Sequence, residues 1–241
     1  MSRFISVLAI VIGLHGSACA TAEFRAEPIS LADQVGPGDS YASIRLLGAL
    51  RLNNARIDGL RLCGLSGLAW DEDAGLLYAI SDSGGLFHLR PAFDERGYLS
   101  GIRPVAAYPL RDEVDQPARV PFDDSEGLAL RNGDNGIPAD TELLVSFEGK
   151  PRVVRYSPDG RWRGEETLPP LLRDIRSYRD PNQALESIAI DPRRGVLVGT
   201  ETPLRGDPAG WVRIFARDGR FWSYPLGPAP GSALVAMEAL P

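Results

Sequence analysis

An all-β fold is predicted by three features of the chain. Its 26 glycines and 20 prolines are scattered between short apolar runs instead of being gathered in one linker, which is the punctuation of many turns and short strands. The runs are bounded by Gly, Pro, Asp or Asn and rarely show a helical period. Finally, "DSEGLAL" at 124–130 returns sixty positions later as "ALESIAI" at 184–190, so a Glu opening a short apolar run is part of a repeating unit.

Taken in order, the expected strands are 43–52, 65–70, 76–81, 85–90 and 104–110. They are followed by 126–131, 142–149, 152–157 and 163–168, and then by 185–190, 195–201, 211–216 and 220–226. Only 169–178, "PPLLRDIRSY", offers a helical turn or two. Aligning Ser66, Glu126, Glu186 and Glu238 gives intervals of 60, 60 and 52 residues. Inside each full unit a second strand ends in an acidic residue: Asp82, Glu148 or Glu201. A third strand follows, and two of these run into an aromatic-x-x-Asp-Gly turn, "YSPDG" and "FARDG". Four strands per unit at a period of about 50 residues is the signature of propeller blades.

The N-terminus reads as an export signal. Arg3 precedes the apolar stretch "FISVLAIVIGL", and Ala18 and Ala20 form an A-x-A-like site with cleavage after Ala20. The domain boundaries are therefore a signal at 1–20, a linker at 21–40 and a propeller domain at 41–241. The protein is expected in the periplasm or outside the cell, with lipid anchoring through Cys19 as the alternative. No other segment approaches membrane-spanning length. The chain stops at "AMEALP", where another blade is expected to start, so the propeller domain reads as C-terminally truncated. A net charge of −6 and a pI near 5.1 exclude a general attraction to nucleic acid or anionic membranes. Cleavage leaves Cys63 as the only cysteine, expected to be a buried, inert thiol.

In a propeller the first strand of each blade lines the central channel, so residues at its start converge near the axis. Glu126, Glu186 and Glu238 are expected there, with Ser66 replacing the carboxylate in the first unit, and Asp82, Glu148 and Glu201 close enough to complete an oxygen set. Like charges in a partly enclosed channel raise one another's pKa. Two readings stay open: a hard cation such as Ca²⁺ among the carboxylates, or carboxylates bonded to backbone N–H groups of the next blade. Arg152, Arg155, Arg161, Arg163, Arg173, Arg176 and Arg179 crowd one region with Lys150, the only lysine. The loop "DIRSYRDPNQ" at 174–183 leads directly into Glu186 and could bring Arg176 or Arg179 over the channel mouth.

The succession "GLSGLAWD…LLYAISDSG", "DSEGLAL…LLVSFEG…VVRYSPDG" and "NQALESIAI…VGTE" resembles the bacterial family named for the esterase-like activity of phytase. The resemblance covers about residues 40–241. It implies a propeller, a hydrolase of phosphate or carboxylic esters, calcium as the ion and a small ester or phosphate as substrate. Glu126, Glu186 and Arg179 are the candidate catalytic residues. A serine-hydrolase route is disfavoured, because "GLSGL" at 64–68 has Leu68 where the nucleophile elbow needs its second Gly and lies in a β-repeat. After signal cleavage only His88 remains as a triad histidine. The runner-up is a non-catalytic envelope propeller that binds a ligand or a protein partner, since propellers host both roles.

The export reading makes a direct prediction. N-terminal sequencing of protein recovered from outside the cytoplasm should begin at Thr21. A lipid-modified Cys19 would replace the soluble form with an anchored one.

Overall fold

The computed structural model of the protein describes residues 23–30, 35–41, 44–119, 123–137 and 139–239. The expected signal segment at 1–20, Cys19 with it, lies outside them. Six short strands come first: β1 (Ala26–Pro28), β2 (Ser40–Tyr41), β3 (Ile44–Arg45), β4 (Leu50–Leu52), β5 (Ala55–Ile57) and β6 (Leu60–Leu62). They pair as β1 with β4, β2 with β3 and β5 with β6. The single strand expected over 43–52 is split into β3 and β4, with Gly48 at φ 144° in the irregular stretch between them. The β5–β6 hairpin was not foreseen, although its Asp58-Gly59 turn, with φ 47° and 85°, is the pair that a tight two-residue hairpin favours.

Three four-stranded antiparallel sheets follow. The first contains β7 (Leu65–Asp71), β8 (Leu76–Ser81), β9 (Gly85–Phe93) and β10 (Leu99–Pro109). The second contains β11 (Ser125–Arg131), β12 (Glu142–Phe147), β13 (Arg152–Tyr156) and β14 (Trp162–Glu165). The third contains β15 (Leu185–Asp191), β16 (Gly195–Thr200), β17 (Trp211–Ala216) and β18 (Phe221–Pro225). Each sheet is an up-and-down meander in chain order, and β11 packs between β7 and β15. The expected all-β architecture of β-propeller type is thus observed, with the first strand of each sheet innermost. The helical content expected near 169–178 is one turn, α1 (Pro170–Arg173), and a 3₁₀ turn at Ile175–Ser177. No helix among the described residues is long and apolar enough to cross a membrane.

Alternation along β12 shows how the sheets stack. Leu143, Val145 and Phe147 pack with Tyr78, Ile80 and Leu86 of the first sheet, while Leu144 packs with Ile188, Val198 and Phe215 of the third. Both faces are covered, which is why this strand reads as an almost continuous apolar run. Each such side chain contributes about 1.5–3 kcal/mol on burial. A third cluster, with Phe87 and Leu89 at its centre, covers the other face of the first sheet beneath Ile57, Leu62 and Phe24. The Asp-Gly turns close through Gly160 and Gly219, with φ 78° and 87°, a conformation that glycine adopts without steric cost. Cys63 is half-buried and unpaired instead of fully buried, because it sits just outside the β6 hairpin. His88 is buried edge-on to Tyr78, with Nε2 donating to the Pro158 carbonyl at 2.8 Å.

Neighbouring inner strands approach most closely at a repeated glycine. A Cβ on Gly67 would lie 2.9 Å from the Leu128 nitrogen, and one on Gly127 would lie 2.6 Å from Ser146 Oγ and 2.7 Å from the Glu186 carbonyl oxygen. Gly127→Ala should therefore cost about 1–3 kcal/mol, as other overpacked cores do, and lower the urea midpoint without changing the slope. At Gly101 the nearest atom would be 4.0 Å away, and Gly101→Ala should leave the midpoint within about 0.5 kcal/mol of the parent.

Candidate functional site

The inner strands all start, and the second strands all end, at one end of the sheets. Pairing of Ser125 with Phe147 and of Leu185 with Thr200 therefore sets Glu126 beside Glu148 and Glu186 beside Glu201. The register slips at the same repeat position in every sheet, between Leu65 and Gly67, between Ser125 and Leu128, and between Leu185 and Ser187. Such bulges re-aim a side chain. Here the residues at the slip are Ser66, Glu126 and Glu186.

Two carboxylate sets result. Asp124, Glu126 and Glu148 form one; Glu148, Glu186 and Glu201 form the other, each with oxygens within 4.8 Å of one another. Glu148 belongs to both. It is almost fully buried, accepts a hydrogen bond from the Ala184 N–H of the next sheet, and its own N–H donates to the Asp124 carbonyl at 3.0 Å. The same backbone link recurs as Asp82 N–H to Gly64 O at 2.9 Å and Glu201 N–H to Ala184 O at 3.0 Å. Tyr178 is buried and donates to the Leu172 carbonyl at 2.8 Å, and its phenol is pushed up first by burial and then by the charge of Glu148.

Electrostatics in this corner are one-sided. Burial, then the charges of Glu186, Glu148 and Asp124, push the Glu126 carboxyl up to about 9. Burial, Glu186, Asp124 and Glu201 push Glu148 to about 8 against the Ala184 hydrogen bond, and burial, Glu201 and Asp124 push Glu186 to about 7. Asp124 is raised by burial and by Asp123 and Asp82, and Glu201 by burial and Asp180. Among the described residues, every charge acting on these five groups is another carboxylate.

The remaining expected site residues are placed differently. The Asp82 carboxylate lies against Gly64, where a Cβ would sit 2.5 Å from it, and acts on Asp124 through charge. Glu238 is exposed and lines a separate cavity of about 540 Å³ with Trp70, Arg131 and Pro192, by the far ends of the inner strands. Arg179 donates to the Asp207 carbonyl at 2.8 Å, and Arg176 is paired with Asp174 at 2.8 Å. From the 174–183 loop it is Asp180 whose charge reaches Glu201. Elsewhere in the arginine-rich region, Arg155 joins Arg131, Glu142 and Glu166 in an ion network, and Arg152 stacks on the Phe147 ring. Ser66 Oγ donates to the Ser125 carbonyl at 2.5 Å, which leaves it tied to the neighbouring sheet and not to His88. Asp124 is the member of the set that sequence reading missed. Its signal was the Asp-x-Glu spacing of 124 and 126, which places two carboxylates on one face of an extended chain.

A β-propeller-type protein with an acidic cluster where its inner strands begin is the class these features define. The family model described as phytase-like, esterase-like activity of phytase, matches residues 61–241, and the chain belongs to that family. Among solved structures it is similar to U3-55K, at 11% identity and a TM-score of 0.40 over 76% of this chain and 45% of that one. It is also similar to the Cps50 (Swd1) β-propeller domain of Myceliophteria thermophila, at 14% identity and 0.33 over 73% and 46%. A third similarity is to the Pan2 WD40 domain of Neurospora crassa, at 14% and 0.29 over 67% and 38%. The chain spans less than half the length of each. No curated protein matches it.

The raised carboxyls set a sign for stability. Each holds its proton in the folded, cation-free state to a higher pH than the ordinary value near 4.5, so the folded state binds more protons and stability falls as pH rises from about 4.5 to about 9. In chelator, the urea midpoint should decline between pH 5 and pH 9. Glu126→Gln should flatten that decline and be more stable than the parent at pH 9. An unchanged slope would show that Glu126 does not titrate with the cluster.

Proposed function

We propose that the protein is an exported hydrolase of phosphate or carboxylic esters that works with Ca²⁺ at the carboxylate cluster. The observation that carries this reading is the pair of overlapping carboxylate sets, whose members, among the described residues, act on one another through negative charge. Oxygens no more than 4.8 Å apart suit ligands that each stand about 2.3–2.6 Å from one ion, and an all-oxygen donor set suits a hard cation. Asp124, Glu126, Glu148, Glu186 and Glu201 would hold it. When bound there, Ca²⁺ supplies charge neutralisation and a Lewis-acid contact for a phosphoryl or carbonyl oxygen.

The chain's own residues do the rest. The bulges on β11 and β15 hold Glu126 and Glu186 at fixed repeat positions, so the substrate meets a preorganised site. Glu186 would accept a proton from water through an oxygen not committed to the ion, and with a cation bound its carboxyl would stand below the value of about 7 that it has in the cation-free cluster. Tyr178 and Glu148 are both almost fully buried. Ser66 takes no part, since its hydroxyl is spent on the Ser125 carbonyl. Export to the periplasm or beyond supports calcium as the ion, because the expected signal takes the chain out of the cytoplasm.

One observation favours the second reading, a non-catalytic envelope propeller. The Glu148 carboxylate bonds the Ala184 N–H across sheets, which is the scaffolding role a repeat carboxylate would have. The two readings separate in one experiment on the full chain. Under the hydrolase reading, added Ca²⁺ raises the melting temperature, Glu126→Gln with Glu186→Gln abolishes most of that shift, and hydrolysis of p-nitrophenyl phosphate or p-nitrophenyl acetate falls by about 10²-fold or more in Glu186→Gln. Ser66→Ala stays within about tenfold of the parent. Melting and hydrolysis both indifferent to Ca²⁺ would leave the scaffold reading standing.

A further inference from the structure

The outer strand of each sheet leaves one row of main-chain groups to be dealt with, and the three sheets do so differently. In the first, β10 is flanked by β1, β5 and β6. Ala107 N–H donates to Asp58 Oδ2 at 2.9 Å, and Leu99 N–H donates to the Leu47 carbonyl at 2.8 Å. In the second, β14 has only four residues, is charged at Arg163 and Glu165, and its pairing is interrupted by a register slip. Coverage, shortness and charge are the usual protections of an edge. The third edge, β18, has none of these except a terminal proline. Its sequence Phe-Trp-Ser-Tyr-Pro carries no charge, all five residues are exposed, and no described strand lies beyond it.

Its register fixes which groups point outward. Ala216 N–H bonds the Arg220 carbonyl, and Leu226 N–H bonds the Gly210 carbonyl at the other end. Trp222 lies opposite Ile214 and Tyr224 opposite Val212. The alternation of antiparallel pairs then turns the even residues toward β17 and leaves Phe221, Ser223 and Pro225 facing away. The outward row is an N–H and C=O from Phe221 and from Ser223, and a C=O from Pro225, whose missing N–H costs nothing inside the sheet.

We propose that β18 is a self-association edge, pairing antiparallel with β18 of a second copy about a two-fold axis at Ser223. The row is self-complementary under that operation. Ser223 exchanges two hydrogen bonds with Ser223 of the other copy, and each Phe221 N–H meets the other copy's Pro225 carbonyl. Trp222 then stands opposite Tyr224 twice, an aromatic cross-strand pair of the kind that stabilises sheets. A two-fold contact uses the same patch on both copies, and the surrounding charges allow it. Asp218 is paired with Arg220, Asp207 with Arg213, and Arg194 lies over the Trp222 ring while paired with Asp191, so these flanking charges are already compensated within each copy.

Area sets the strength. Phe221, Trp222 and Tyr224 are 47%, 40% and 49% exposed, so the three aromatics of two copies have roughly 400–700 Å² to bury before main chain and flanks are added. Contacts below about 1,200 Å² are weak and transient. The dimer should therefore be half-formed only at high protein concentration, on the order of 100 µM.

The test is sedimentation equilibrium of the full chain from about 5 to 500 µM, with two variants. Ser223→Pro removes an outward N–H that the sheet does not use. It should stay monomeric at every concentration while its urea midpoint confirms that it is folded. Ser223→Cys, with Cys19→Ser and Cys63→Ser, should form an intermolecular disulfide under mild oxidation, because residues paired at the axis fall within the 4.4–6.8 Å Cα range of a disulfide. A parent chain that stays monomeric to 500 µM overturns the proposal. So does a dimer that survives Ser223→Pro and fails to cross-link through Cys at position 223, which would place the contact elsewhere.

Discussion

The inner strands of the three sheets run side by side with so little space between them that glycine is required at the crossing points. Gly67 faces the backbone of β11 and Gly127 that of β15, each with room for a hydrogen and none for a methyl group. That contact fixes the angle and spacing of one sheet on the next, and with them the two cores on either side of β12. It also carries the starts of β11 and β15 close together, so that two glutamates and the acidic residues flanking them converge.

Convergence has an energetic cost. Two unit charges about 5 Å apart repel by roughly 3 kcal/mol at an effective dielectric of about 20, and among the described residues the charges raising these five carboxyls are other carboxylates. The fold offers two ways to relieve it. Protons can be retained, which is the meaning of carboxyls pushed to about 9, 8 and 7, or a hard cation can take their place. Both weaken the repulsion, and they compete for the same oxygens, so cation affinity in such a cluster falls as pH falls.

Glu148 shows why scaffold and site are not exclusive descriptions here. One of its oxygens accepts the Ala184 N–H and ties the second sheet to the third, yet it is also the carboxyl that both oxygen sets share. At this end the first and second sheets are joined by hydroxyls, Ser66 to the Ser125 carbonyl and Ser125 to the Ser81 carbonyl at 2.5 and 2.7 Å, whereas at the other end Asp71 accepts from Thr141 and Asp73 from the Asn135 and Gly136 N–H groups. At the end where the inner strands begin, the carboxylate-to-backbone link is therefore found at the junction of the second and third sheets.

Periodicity is what the sequence by itself determined. The recurring apolar runs, the Asp-Gly turns at Gly160 and Gly219, and the return of Glu126 as Glu186 are local or repetitive signals, and they set the strand number and order of the three four-stranded sheets and the end of those sheets where Glu126, Glu148, Glu186 and Glu201 lie. The Asp58-Gly59 hairpin was equally legible and went unread because its strands are only three residues long. Tertiary structure alone decided the rest. Whether a carboxylate joins the cluster depends on a one-residue bulge and on which strand lies alongside, neither of which has a mark in the local pattern. Glu238 shares the repeat motif but lines a different cavity, Arg176 and Arg179 follow the right loop but turn to Asp174 and the Asp207 carbonyl, and Asp124 enters the set because Glu148, distant in sequence, folds back onto it. Distances between strands of different sheets are set by packing, and packing is a property of the whole chain.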